Sequence, residues 1–280
     1  MNQIFGALLC IAILCGSFTE NGLSELSDHS LFCTISQYTD EHKELTLPDD
    51  NNGAPLTTIG ERSFLENENI LSVVLPETID TIDSYAFAWS SLRTISFMNE
   101  HYHLIDDGAF ESSRLESAVL PKQVNLFGSG VFGGCWKLTE VVLPETIHSI
   151  PPYTFIECES LRTIVLPDSV FTVDECAFYG CTGLRDIQWP EALNMIDKEA
   201  FEACAFEKLF LPGQLAFILD SAFSDCKALT YAVLPRSLQY IADTAFFGCG
   251  NLVLGVYADT VGYQFAVSHD FEYILLEESR

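Results

Sequence analysis

The sequence predicts a repeat solenoid, an α/β coil of about nine stacked units, and three spacings predict it. Phenylalanines recur at Phe64, Phe87, Phe110, Phe132, Phe155, Phe178, Phe201, Phe223 and Phe246, in steps of 22 or 23 residues. Prolines after an apolar residue keep the same step at Pro76, Pro121, Pro144, Pro167, Pro190, Pro212 and Pro235, with Met98 where one is missing. Cysteines join them at Cys135, Cys158, Cys181, Cys204, Cys226 and Cys249, with Ser90 and Ser113 in that place earlier. Three rhythms in phase over most of a chain define a repeat, and a repeat outranks any local secondary-structure signal.

The N-terminus comes first. Residues 4–14 are almost unbroken apolar, too short to span a bilayer as a helix. Small residues follow at Cys15, Gly16 and Ser17, so residues 1–17 read as an export signal cleaved after Ser17. The n-region lacks Lys and Arg, and the alternative reading is a buried N-terminal strand or helix. Residues 18–62 do not fit the repeat and are expected to cap it. Residues 63–255 form the solenoid, and residues 256–280 a closing cap.

One unit shows the local structure. Leu161-Arg162-Thr163-Ile164-Val165-Leu166 alternates with period two and predicts a strand, ended by Pro167, which has no amide hydrogen for a ladder. Val170 and Val173 make a second short apolar pair. Ala177, Phe178 and Cys181 suit one turn of helix, with Leu184 closing the unit. A single unit has too little apolar surface to be stable alone. Stacking places each Phe, Cys and Leu on its equivalent, so Phe87 to Phe246 and Cys135 to Cys249 are the expected core.

Composition narrows the function. The chain has 280 residues, with 40 acidic against 13 basic, a formal charge of −27. That excludes nucleic acid as a partner, because phosphate recognition needs clustered Lys and Arg. It also disfavours anionic lipid. Apolar residues at 48% are enough for a full core. After signal removal no transmembrane segment remains, and no Asn-x-Ser/Thr sequon occurs.

The motif Leu-x-x-Ile-x-Leu-Pro followed by Ala-Phe-x-x-Cys-x-x-Leu resembles the BspA-like leucine-rich repeats, with the closest copies at 138–161 and 161–184. The resemblance covers residues 45–257. It implies a right-handed solenoid with a parallel sheet on its concave side and short helical turns opposite. It also implies a secreted or cell-surface protein of the adhesin kind, with a protein ligand from a host or microbe.

Candidate chemistry is sparse. No nucleophile elbow, zinc-protease helix or phosphate loop is present, so no catalytic residue is assigned. Cysteines spaced one per repeat lie along a line rather than around a point, which suits structural thiols and not a metal site. No metal or cofactor is expected. Cys176 and Cys33 lie off the ladder and are the expected reactive thiols, with His29 four residues before Cys33. His101 and His103 share a strand face at the surface. The carboxylates before the Phe, including Asp83, Asp106, Asp107, Asp174, Glu175, Asp197, Glu199, Asp220 and Asp243, read as a solvated acidic face.

The strands carry the candidate binding row. Two residues before each proline position stand Val74, Ser96, Val119, Val142, Val165, Gln188, Phe210 and Val233. If the flanking Ile and Leu point inward, this row points out, as an apolar stripe about 35 Å long at about 4.8 Å per strand. Four residues before the proline positions run Ser72, Thr94, Ser117, Glu140, Thr163, Asp186, Lys208 and Tyr231. A long apolar patch with a polar rim marks a protein-binding site. The plainer account is that valine favours strands. The expected contact residues are Val119, Val142, Val165, Gln188, Phe210, Tyr231 and Val233, with Phe210 and Tyr231 as aromatic anchors. A monomeric, non-catalytic recognition module is the leading expectation; an intracellular repeat scaffold is the alternative.

Overall fold

The computed structural model describes residues 11–15, 33–38, 43–51 and 53–277. Most of the export-signal segment, and His29, lie outside them. Ile11–Cys15 is a strand paired antiparallel with Cys33–Tyr38, which runs parallel to Ala54–Ile59.

The rest is a parallel-stranded β-solenoid with little helix. Each coil as far as Tyr240–Ile241 contributes one strand to a front ladder and one to a rear ladder, the rear strands being two residues long from Ser149–Ile150 onward. The front strands are Glu44–Thr46, Ser72–Leu75, Thr94–Phe97, Ser117–Val119, Glu140–Val142, Thr163–Val165, Asp186–Gln188, Lys208–Phe210, Tyr231–Val233, Val253–Val256 and Glu272–Leu275. Their register is that of the repeat: Thr163 faces Asp186, Ile164 faces Ile187, Val165 faces Gln188. Alternation sends Val141, Ile164, Ile187, Leu209 and Ala232 into the core. The rear strands, such as Thr172–Val173 and Met195–Ile196, also pair parallel and bury Val173 and Ile196. Residues 44–59, within the segment expected to cap the solenoid, already supply one strand to each ladder.

The third side of each coil differs from expectation. In place of one helical turn it has tight turns, and the only α-helix among the described residues is Val261–Ser268. The reason lies in the amides. An α-helix needs every N–H to bond four residues back. Here alternate amides bond three residues back, as Ala88 does to Tyr85, while those between reach the next coil, as Phe87 does to Ala109. The chain achieves this with left-handed residues, among them Tyr85, Tyr153, Cys176 and Glu199 at φ of 55–60°. Such a conformation costs a side-chain-bearing residue about 1–2 kcal/mol and persists only because both neighbouring coils hold it.

This geometry explains why Phe and Cys share one rhythm. The ladder phenylalanines are fully buried and stacked, with centroids 4.7–5.5 Å apart from Phe64 to Phe246. From Phe64 to Phe223, each N–H donates to the following coil at 2.7–2.9 Å. From Phe110 to Phe223, each carbonyl accepts from the thiol of the following coil's ladder cysteine, at 3.0–3.3 Å. The cysteine is a small apolar residue with one weak donor, which suits a buried carbonyl. Ser90 fills the role differently, donating to Phe87 of its own coil at 2.7 Å.

The six ladder thiols are free and buried. Burial pushes Cys135 and Cys181 up to about 12 and Cys249 up to about 11, from an ordinary value near 9. The native state therefore keeps protons that the unfolded chain releases above pH 9. Where the unfolded state binds fewer protons, stability falls as pH rises. The midpoint of denaturant unfolding should thus drop between about pH 9 and 12, and a thiol reagent at pH 8 should find the ladder only after unfolding. Rapid labelling of the folded protein at these positions would contradict the assignment.

Among the described residues, one buried side-chain polar atom has no hydrogen-bond partner, the hydroxyl of Tyr102, whose ring meets Phe97 edge to face. At the far end the helix Val261–Ser268 closes the core with Phe265 and Ala266. The Thr260 side chain caps its first turn by accepting from the Tyr263 N–H.

Candidate functional site

The front ladder turns its odd column outward. Val119, Val142, Val165 and Phe210 are 48–65% exposed. Gln188 is exposed, Val233 and Tyr231 half-buried. The register lines up the outward side chains, Val119 facing Val142, Val165 facing Gln188, Phe210 facing Val233, Val233 facing Gly255 and Gly255 facing Ile274, while Tyr231 stands in the neighbouring column opposite Lys208. Ile274 is exposed and extends the row by two strands beyond the last proline position. Sequence reasoning missed it because the 22–23-residue step stops there; the Phe-Glu-Tyr-Ile alternation was the available signal.

Tyr231 and Phe210 meet edge to face at 6.2 Å. The Tyr231 hydroxyl lies 2.5 Å from where a β-carbon on Gly255 would stand, so the ring crosses onto the next coil over a bare backbone. Beside Phe210 a small cleft of about 80 Å³ opens between the strands Asp186–Gln188 and Lys208–Phe210, floored by Trp189 and Phe206. It falls where the repeat is one residue short, and no ladder pairs these two strands among the described residues.

The charge of this face differs from that of the molecule. The outward row and the two exposed columns before it, four and five residues ahead of each proline position, carry Arg93, Arg162, Arg185 and Lys208 against Glu116, Glu140, Asp186 and Glu207. Four basic and four acidic residues cancel, on a chain of −27. The surplus of carboxylates therefore lies elsewhere. On the turn side burial raises the carboxyls of Asp83, Glu111 and Glu202 above the usual range. There Lys198 bridges Glu175 and Glu199 at 3.3 Å each.

Other candidates do not gather. His101 and His103 are exposed on one strand. Cys176, expected to be reactive, is buried with its thiol 3.4 Å from Glu199, and burial, then that carboxylate, pushes it up to about 12. A thiol held protonated is a poor nucleophile, which corrects the expectation. The side chain of Cys33 lies outside the description. Among the described residues, no group of three or more His, Cys, Asp or Glu is placed to hold a metal ion. Nor is any helix there long and apolar enough to cross a membrane.

Comparison with known proteins agrees with this geometry. The model of the BspA type leucine-rich repeat region matches residues 35–162 and 148–263 with six copies. The chain belongs to this family, whose repeats are consistent with a protein-interaction module. Among solved structures it is similar to a leucine-rich repeat protein from Bacteroides ovatus, at 18% identity and a TM-score of 0.62 over 87% of this chain and 71% of that one. That likeness carries the fold. It is also similar to a leucine-rich cell surface protein from Faecalibacterium prausnitzii, at 20% identity and a TM-score of 0.47 over 85% and 94%. No curated protein matches.

Proposed function

We propose that the chain is a monomeric, non-catalytic recognition solenoid, exported and secreted or held at a cell surface, that binds a protein partner adhesin-fashion on the front sheet. Residues 1–17 act as the signal, 18–62 and 256–280 as caps, and the sheet lies on the concave side. The observation that carries this reading is the exposed apolar row on an electrically neutral face of a −27 chain. Apolar contact there needs no counter-charge from the partner, so binding should depend little on salt. The anchors are Phe210 and Tyr231, beside the cleft that would receive a partner side chain.

The double variant Val165→Glu with Phe210→Glu tests it. Both side chains stand outside the core, so melting should be unchanged while capture of surface-protein ligands is lost. Undiminished capture by the folded variant would refute the front sheet as the binding face. One observation favours a second reading, an intracellular scaffold: Ile11–Cys15 pairs with Cys33–Tyr38. Mass spectrometry of the native N-terminus separates the two, since export yields a start near Phe18 and a scaffold keeps Met1.

A further inference from the structure

The turn side carries a trough that the front-sheet reading does not use. Tyr85, Gly108, Gly130 and Tyr153 are equivalent positions of four consecutive coils, each donating its N–H to the next. All four are left-handed, at φ of 56–62°. Trp89, Ser112, Gly134 and Glu157 form a second such column. In the two middle coils these columns offer only glycine and serine. Tyr85 and Trp89 therefore stand at one end and Tyr153 and Glu157 at the other, and because the Tyr85 ring lies across the position of Gly108, the gap from it to the coil of Tyr153 is two strand spacings, or about 10 Å. The floor is open at Gly130, where a β-carbon would meet nothing within 4 Å. The trough has a volume of about 370 Å³ and adjoins an apolar recess of the same size floored by Leu65 and Ala88, the two sharing Tyr85 and Glu111.

Its chemistry favours a cation. Asp107, Glu111 and Glu157 line it, and none is in an ion pair among the described residues. Burial raises the Glu111 carboxyl, so this group has lost water without gaining a counter-charge. Aromatic faces bind guanidinium and ammonium groups, as the Arg62 guanidinium shows in the adjoining recess, 5.7 Å from the Tyr85 ring, which leaves the Tyr153 ring for a ligand. The long-range field of a −27 chain draws the same kind of ligand.

We propose that this trough is a second interaction surface, which binds a basic peptide segment. An Arg or Lys side chain lies between Tyr85 and Tyr153 with its charge among Asp107, Glu111 and Glu157.

The test titrates a fluorescent hexa-arginine peptide into the full chain at physiological salt. Glu111→Gln with Glu157→Gln should weaken binding about tenfold or more, and the charge-neutral Tyr153→Ala should weaken it several-fold. Glu145→Gln with Glu191→Gln removes the same charge from the exposed loops after the front strands and should change it less than about twofold. Equal losses in the two glutamine pairs would reduce the effect to unspecific attraction and overturn the site. So would failure of the unmodified chain to bind, or binding indifferent to Tyr153 and both trough carboxylates. The glutamine exchanges keep shape at surface positions, and unchanged melting confirms that each variant is folded.

Discussion

Phe178→Ala is expected to cost about 3–5 kcal/mol, the usual loss for a fully buried Phe. Its ring is closed to solvent and stacked on Phe155 at 5.1 Å and on Phe201 at 5.0 Å. The cavity would be shared by three coils, and none can collapse into it without pulling its amides off its neighbours. The lost stacking on two faces adds to the lost burial. Denaturant unfolding measures the effect as a fall in midpoint with a similar slope. A cost below about 1 kcal/mol would mean that the rings are not the core of the coil. Phe246 stacks on one ladder ring and tilts against Phe265 at 6.3 Å, so its truncation should cost less.

Gly128→Ala should have the second largest effect, through added volume. A β-carbon at Gly128 would stand 2.5 Å from the backbone nitrogen of Asp107 and 2.6 Å from the carbonyl carbon of Asp106. These are backbone atoms of the preceding coil, which no rotamer change can move aside. The amide of Gly128 is bonded to Ile105 at 2.8 Å, so relief means parting two coils. Overpacking of this kind costs about 1–3 kcal/mol or more. Gly250→Ala, where nothing lies within 4 Å, is the control and should be near neutral. Equal stability of the two variants would refute the close approach.

The ladders were legible in the sequence because their causes are local and periodic. Ile164 and Val165 alternate, Pro167 stops the strand, and the same grammar returns every 22–23 residues. The outward row followed from that alternation alone. The turn side was not legible in the same way. Ala177-Phe178-Tyr179-Gly180-Cys181 has helical spacing, and only the neighbouring coils redirect its amides. Left-handed Tyr85, Tyr153 and Cys176 carry no glycine to announce them. Cys176 stood out because it broke the rhythm, yet burial and the Glu199 carboxylate hold its thiol protonated. The trough was hidden for the opposite reason: it is built from side chains that are missing, and Gly130, Gly133 and Gly134 read in sequence as ordinary turn formers.

The Phe–Cys arrangement has a mechanical consequence. Both polar groups of each of these phenylalanine backbones are held by the coil after it. A pull on the far end of the chain would therefore strip bonds one coil at a time rather than shear the whole stack at once. Each released coil frees 22 or 23 residues, about 8 nm of extended chain. The molecule would behave under tension as a series of small, equal fuses, lengthening while the remaining coils keep their shape.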